Sequence, residues 1–310
     1  MLTVLQTALE VGLIYGLVAL ALFISFSILN IADLSTDGCF TLGCAVGVML
    51  TIAGHPILAL FAAMAAGMLS GYVTAFLQTR LGVESILAGI ISNTGLYTIN
   101  LAVMGFSSNV SITGVDTVFS LFKGLVGGQW SRLILLALIA AVIVLVLIRF
   151  FGTSLGLSIR ATGDSLDMVS ASSINPKATI TIGLCLANAL TALSGCLIGE
   201  YNKFCDINLG TGMVTIALAS LIIGEVFAGR RGSVGKRVVC VVLGSIVYRF
   251  IIALALRLNI SAEYFKLVSA VIVAVAIAAP NMKDYVHLAK IKSNARKLRA
   301  LSGKGDETDA

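Results

Sequence analysis

Residues Arg149 to Lys177 read RFFGTSLGLSIRATGDSLDMVSASSINPK, a polar interruption between two long apolar runs. This is the sizeable mid-chain cluster of charge and hydrogen-bonding side chains. Gly152-Thr-Ser-Leu-Gly156 supplies turns. Asp164 to Ile174 then reads as a short helix, with Asp164 as its N-cap and Leu166, Val169 and Ile174 on its apolar face. Asn175-Pro176 ends that helix and launches the next apolar segment. Set between two membrane segments, a short helix of this kind is a handle for a partner on the inner surface. An ordinary solvated loop is the other reading of the same residues.

Composition decides the class. Of 310 residues, 58% are hydrophobic and only 12% charged, and the mean hydropathy is +1.02. Soluble domains carry about 25% charged residues, so the chain reads as a polytopic all-α bundle in a membrane. The 31 glycines and only 3 prolines suit long, closely packed membrane helices. A net charge of +6 raises nucleic acid as a partner. The basic residues gather in loops and in the tail, with no aromatic-rich basic face, which argues for lipid and against nucleic acid. Cys39, Cys44, Cys185, Cys196 and Cys240 lie in or beside apolar runs, Cys205 lies in a short loop, and no pair has metal-ligand spacing. They read as small packing residues. His55 and His287 are far apart in sequence, so a metal site has little support.

Taken in order, a first helix runs to about Ile31 without a basic leader, and Gly12 and Gly16 give it a face for a neighbour. Asn30 to Gly38 breaks the pattern with Asp33, Thr36 and Asp37. Two aspartates are costly in lipid, so the break is either a broken backbone at membrane depth or a plain turn between helices. Further spans are expected at about 39–54, 57–79, 85–104, 131–148, 178–199, 213–228, 238–258 and 264–279, nine in all. The fourth is unusually polar. Ser92, Asn93 and Asn100 lie on it, and Asn93 and Asn100, seven apart, share a face that points into the bundle or a solute path. Residues 1–282 form the membrane domain, with 149–177 as its coupling loop, and 283–310 form a basic tail suited to anionic headgroups.

Alternation of nine spans splits the charges sharply. Fifteen of the 21 Lys and Arg fall on one side, including Arg80, Arg149, Arg160, Lys177, Lys236 and Arg237, against five on the other. The positive-inside rule then puts the central loop and C-terminus in the cytoplasm and the N-terminus outside. Catalysis finds no support. Gly229 to Arg237 fails as a phosphate loop, because five residues separate its outer glycines and Arg237 stands where Ser or Thr is required. Arg249 lies within the eighth span at a depth comparable to Glu200. The two could pair as a brace of the outer gate, or the arginine could snorkel outward.

Several stretches resemble the permease subunits of ABC importers in the branched-chain amino acid and ribose permease superfamily. One is Gly12-Leu-Ile-Tyr-Gly-Leu-Val-Ala-Leu-Ala running into Leu29-Asn-Ile-Ala-Asp-Leu-Ser-Thr-Asp-Gly38. Another is Gly156-Leu-Ser-Ile-Arg160-Ala161-Thr-Gly163-Asp164 with Ala171 and Asn175, followed by the Leu186 to Gly195 helix. Leu87-Ala-Gly-Ile-Ile with Ile99 to Gly105 resembles the subgroup linked to aromatic amino acid (tryptophan or tyrosine) uptake. Ser173-Ile174 departs from a Gly-Ile pattern of that family.

The resemblance implies a multi-pass subunit in a prokaryotic cell membrane, paired with a second permease copy and served by cytoplasmic ATPases and an external binding protein. It implies that Gly156, Arg160, Ala161, Gly163, Asp164, Asp167, Ala171 and Asn175 form the ATPase-coupling segment. The solute would pass near Asn30, Asp33, Thr36, Asp37, Ser92, Asn93 and Asn100. No cofactor is expected on this chain; ATP and magnesium would sit on the ATPase. An ion-coupled secondary transporter or channel is the alternative, since intramembrane Asp, Glu and Arg also suit a proton or cation relay.

Overall fold

The computed structural model describes residues 2–128, 130–229 and 232–257, together with Leu267 and Val271. The expected ninth span, the basic tail and Arg230-Arg231 lie outside the described residues.

The apolar runs fold as helices because no proline interrupts them, and because a helix satisfies every backbone donor internally where lipid cannot. In order they are α1 (Leu2–Leu22), α2 (Thr36–Ile52), α3 (Pro56–Thr79), α4 (Ser85–Val103), α5 (Val118–Val126) and α6 (Ser131–Phe151). They continue with α7 (Ser154–Asp164), α8 (Leu166–Ala171), α9 (Pro176–Asn202), α10 (Met213–Ala228) and α11 (Val234–Arg257). Six helical stretches among the described residues are long and apolar enough to cross a membrane. The expected spans at 39–54 and 213–228 are shorter apolar helices of 17 and 16 residues, α2 and α10.

The centre of the bundle is α1, α2 and α9. Within its span window α9 is 83% buried, whereas α6 is 22% buried and lies at the rim. Paired glycines set these contacts. Gly12 and Gly16 of α1 meet Ile246 and Val242 of α11, and Gly67 and Gly71 of α3 meet Asn188 and Leu184 of α9. Both pairs run antiparallel. Gly43 and Gly47 of α2 meet Ala192 and Cys196 of α9 with the two helices parallel. At Gly43, Gly67 and Gly71 the facing backbone occupies the volume a methyl group would need, so glycine is what permits the approach; at Gly16 and Gly47 the nearest atoms are the side chains of Ser245 and Cys196.

These directions gather Arg80, Arg149, Arg160, Lys177, Lys236 and Arg237 at one end of the bundle, with α7 and α8. Lys123, Arg132 and Lys203 gather at the other. Among the described residues, these two groups of cations therefore lie at opposite ends of the bundle.

Four features depart from the sequence reading. First, of the expected turns at Gly152 to Gly156 only Gly152 and Thr153 are found, and the chain is helical from Ser154. Thr153 accepts a hydrogen bond from the Gly156 N–H at 3.3 Å and starts α7. Second, Asp164 is not an N-cap. It closes α7, and Ser165 caps α8 by accepting from Met168 N–H. Third, α1 continues into a π-helical turn, Phe23–Ile28, in which the Leu29 N–H reaches back to the Ile24 carbonyl at 3.0 Å. Fourth, the long connection after α4 holds a strand, β1 (Asn109–Ser111). It pairs antiparallel with β2 (Phe204–Asp206), and Cys205 lies buried in that pair rather than in a loop.

Candidate functional site

The break after α1 lies deep in the protein. Asp33 is 3% exposed. Its Oδ1 accepts from the backbone N–H of Ser35 at 2.9 Å and from that residue's hydroxyl at 2.6 Å. Its Oδ2 accepts from the Asn188 side-chain amide at 2.8 Å. Asn188 lies twelve residues into the 27-residue α9, about 18 Å along its axis. The irregular backbone at 29–35 therefore runs from the α7 end of the bundle, where Leu29 lies beside Gly163, to the middle of α9 at Asp33. An irregular backbone with a buried carboxylate fits the broken-segment reading better than a solvated turn between helices. Asn30 takes a left-handed φ of 57° and is exposed, and Thr36 donates its hydroxyl to the Asp33 carbonyl at 3.1 Å.

Asp37 serves a different helix. Its two carboxylate oxygens accept from the N–H groups of Gly212 and Val214, each at 2.9 Å, at the start of α10. A carboxylate there meets orphan backbone donors and the positive end of the helix dipole. Nothing local in sequence connects Asp37 with residue 212.

The polar face of α4 turns inward. Asn100 is 1% exposed and donates to the Gly38 carbonyl at 3.0 Å, and Asn93 lies beside the same glycine. Ser92 accepts from the Thr74 hydroxyl at 2.9 Å. These side chains bind α4 to α2 and α3. The adjoining face of α4, with Thr94, Gly95 and Thr98, is exposed.

Glu200 and Arg249 do not meet. Glu200 is on α9, beyond where the sixth span was expected to end, and is 1% exposed. It accepts from the Thr51 hydroxyl at 3.0 Å and from Val118 N–H, the first of α5, at 2.8 Å. Arg249 instead lies over the ring of Tyr15, 3.8 Å from its centroid. The reason is placement: Glu200 faces α2 and α5, whereas α11 packs on α1 and α10. Equal depth in the bundle does not bring two faces together.

At the basic end, α7 and α8 form a shelf. Gly163 rests on the carbonyl of Ile28, and Gly156 on the backbone of Phe150 and Phe151. Thr162 and Thr179 share a hydrogen bond of 2.8 Å. In α8 only Val169 is buried, while Leu166 and Met168 are exposed. Asp164, Asp167 and Ala171 also face outward; Arg160 and Ala161 are half-buried. Asn175 caps α9 by accepting from Lys177 N–H at 3.0 Å. α8 ends in a left-handed residue, Ser173 at φ 60°, and the Ile174 N–H returns to the Val169 carbonyl. That geometry favours glycine, and this chain has serine there.

One network was not legible as a unit. Ser27 in the π-helical turn, Glu225 on α10 and Arg237 on α11 bond mutually, with Arg237 Nη2 to Glu225 Oε1 at 2.7 Å. Arg237 also lies over the Phe23 ring at 5.1 Å. The π-helical turn is thus held by α7 on one side and by this ion pair on the other. The signals in sequence were single residues, Ser27 in an apolar run and Glu225 near the end of a span, with nothing to join them.

The model of the family described as branched-chain amino acid transport system / permease component matches residues 4–277. A tyrosine transport system permease protein of Clostridioides difficile is 31% identical over 294 residues, covering 94% of this chain and 95% of the relative. An uncharacterized protein of Rickettsia prowazekii is 31% identical over 284 residues, covering 91% and 99%. No solved structure matches the chain. With a family match across nearly the whole helical bundle, the chain belongs to the permease-component family of branched-chain amino acid transport systems.

Proposed function

We propose that the protein is the membrane-spanning subunit of an ATP-driven importer. It would carry an amino acid or similar small solute across a prokaryotic cell membrane, fed by an external binding protein and powered by separate cytoplasmic ATPases that hold the nucleotide and magnesium. The carrying observation is the shelf of α7 and α8. It presents Leu155, Leu157, Leu166 and Met168 outward beside Asp164 and Asp167. Exposed apolar side chains mixed with acids, at the end of the bundle rich in cations, suit a docked protein better than water or lipid. Gly163 seats that shelf on the end of α1, so a push on α8 reaches the irregular segment carrying Asp33. The clustering of basic residues at this end supports placing it in the cytoplasm, with the N-terminus outside.

In this reading Gly156 and Gly163 are close-approach positions, Arg160, Asp164 and Asp167 meet the ATPase, and Asn175 holds the start of α9. A second permease copy would pack on the outward face of α4, where Thr94, Gly95 and Thr98 leave small polar surface on a membrane helix. The solute would pass along that face, with Asn30 to Asp37 controlling the break beside it. Aromatic amino acids are the first solutes to try, because the Clostridioides difficile relative is named for tyrosine.

The test is reconstitution with the partner ATPase, comparing wild type with Arg160→Glu/Asp164→Lys. The expected result is a folded permease that no longer copurifies with the ATPase or stimulates its ATP turnover. Transport without any ATPase would overturn the reading and favour an ion-driven carrier.

A further inference from the structure

A cavity of about 340 Å³ opens between the end of α3 and the start of α9, at the same end of the bundle as α7 and α8. Its polar half is formed by Arg80, Lys177, Thr79 and Asn175, and its apolar half by Tyr72, Phe76 and Ile182. Arg80 and Lys177 thus border one space, and among the described residues no carboxylate lines it. Lys177 also lies in the first turn of α9, where the helix dipole disfavours a cation. Both side chains are exposed, and two cations bordering one groove give it a positive field that favours a bound anion. The apolar wall is continuous with an exposed apolar side of α3 that carries Tyr72, Val73 and Phe76. A free anion has no use for that wall.

We propose that this groove binds an anionic phospholipid, with its phosphate between Arg80 and Lys177 and an acyl chain along Tyr72, Phe76 and Ile182. The chemistry recognised is a phosphate ester. The apolar wall selects the lipid over soluble phosphate. Basic pockets between membrane helices on the cytoplasmic side are suited to such headgroups. The site goes beyond the transport reading and uses none of the residues assigned to the ATPase contact except Asn175, whose side-chain oxygen already caps α9.

The test is native mass spectrometry of the full-length permease in detergent, supplied with phosphatidylglycerol or phosphatidylcholine. Wild type is expected to retain phosphatidylglycerol in preference to phosphatidylcholine. Arg80→Gln/Lys177→Gln is expected to lose that preference by on the order of 30-fold, at about 1 kcal/mol per cation near an anionic lipid. Arg80→Lys/Lys177→Arg should keep it, and an unchanged unfolding midpoint would show that the glutamine variant is folded. Should the glutamine variant misfold, Tyr72→Ala/Phe76→Ala provides the second reading, with weaker lipid retention expected. Equal retention by wild type and folded glutamine variant would overturn the proposal. So would displacement of the lipid by millimolar inorganic phosphate, which would make this a soluble-anion site. Failure of ATPase coupling alone would leave these lipid readings unmoved, so the two proposals fail separately.

Discussion

The main-chain carbonyl of Ile28 is seated directly against Gly163, so that the last turn of α7 and the end of the π-helical turn share one contact. A π-helical turn inserts an extra residue into the helical ladder and is frequent at functional positions. Here it lies between the α7–α8 shelf and the Ser27–Glu225–Arg237 network, which makes it the joint between that shelf and the bundle core.

Gly163→Ala places a methyl group where that carbonyl lies. Overpacking of this kind costs about 1–3 kcal/mol. A lowered midpoint in detergent thermal unfolding is expected, with reduced ATPase coupling in the fraction that stays folded. An unchanged midpoint would mean that the contact is looser than described.

Ser173 pays for a left-handed backbone that glycine adopts freely. Ser173→Gly should stabilise the α7–α9 connection by about 1 kcal/mol. Limited proteolysis between α8 and α9 provides the readout. Slower cleavage is expected, and faster cleavage would show that the serine side chain contributes more than its backbone costs.

The Asp33–Asn188 bond joins the broken segment to the middle of α9. A double-mutant cycle of Asp33→Ala and Asn188→Ala should give a coupling of about 1–3 kcal/mol, because each single change leaves a buried polar partner behind. Urea unfolding of the purified protein measures it. A coupling near zero would place the two side chains apart in solution.

Glu200 and Arg249 should behave independently. Glu200→Ala frees the Val118 N–H and the Thr51 hydroxyl, whereas Arg249→Ala removes a stacking contact with Tyr15. Stability losses in the double variant should equal the sum of the singles within about 0.5 kcal/mol. Strong non-additivity would revive the ion pair.

What the sequence by itself determined was the helical runs and their membrane character, though not every local cap, since Ser165 rather than Asp164 starts α8. Apolar runs without proline specify helices, and their hydropathy specifies the membrane. Glycines four apart at 12 and 16 or 67 and 71 predict close helix crossings, and those crossings are found. Among the described residues, the two groups of cations lie at opposite ends of the bundle. What only the tertiary structure decided was which polar groups satisfy each other. Asp37 caps a helix that begins 176 residues later, Glu200 serves α2 and α5 rather than Arg249, and Asp33 finds Asn188 across 155 residues. A buried carboxylate must find a donor, and the sequence states that need plainly. Which donor answers depends on which helix faces are turned together, a property of the packed bundle that no local pattern encodes.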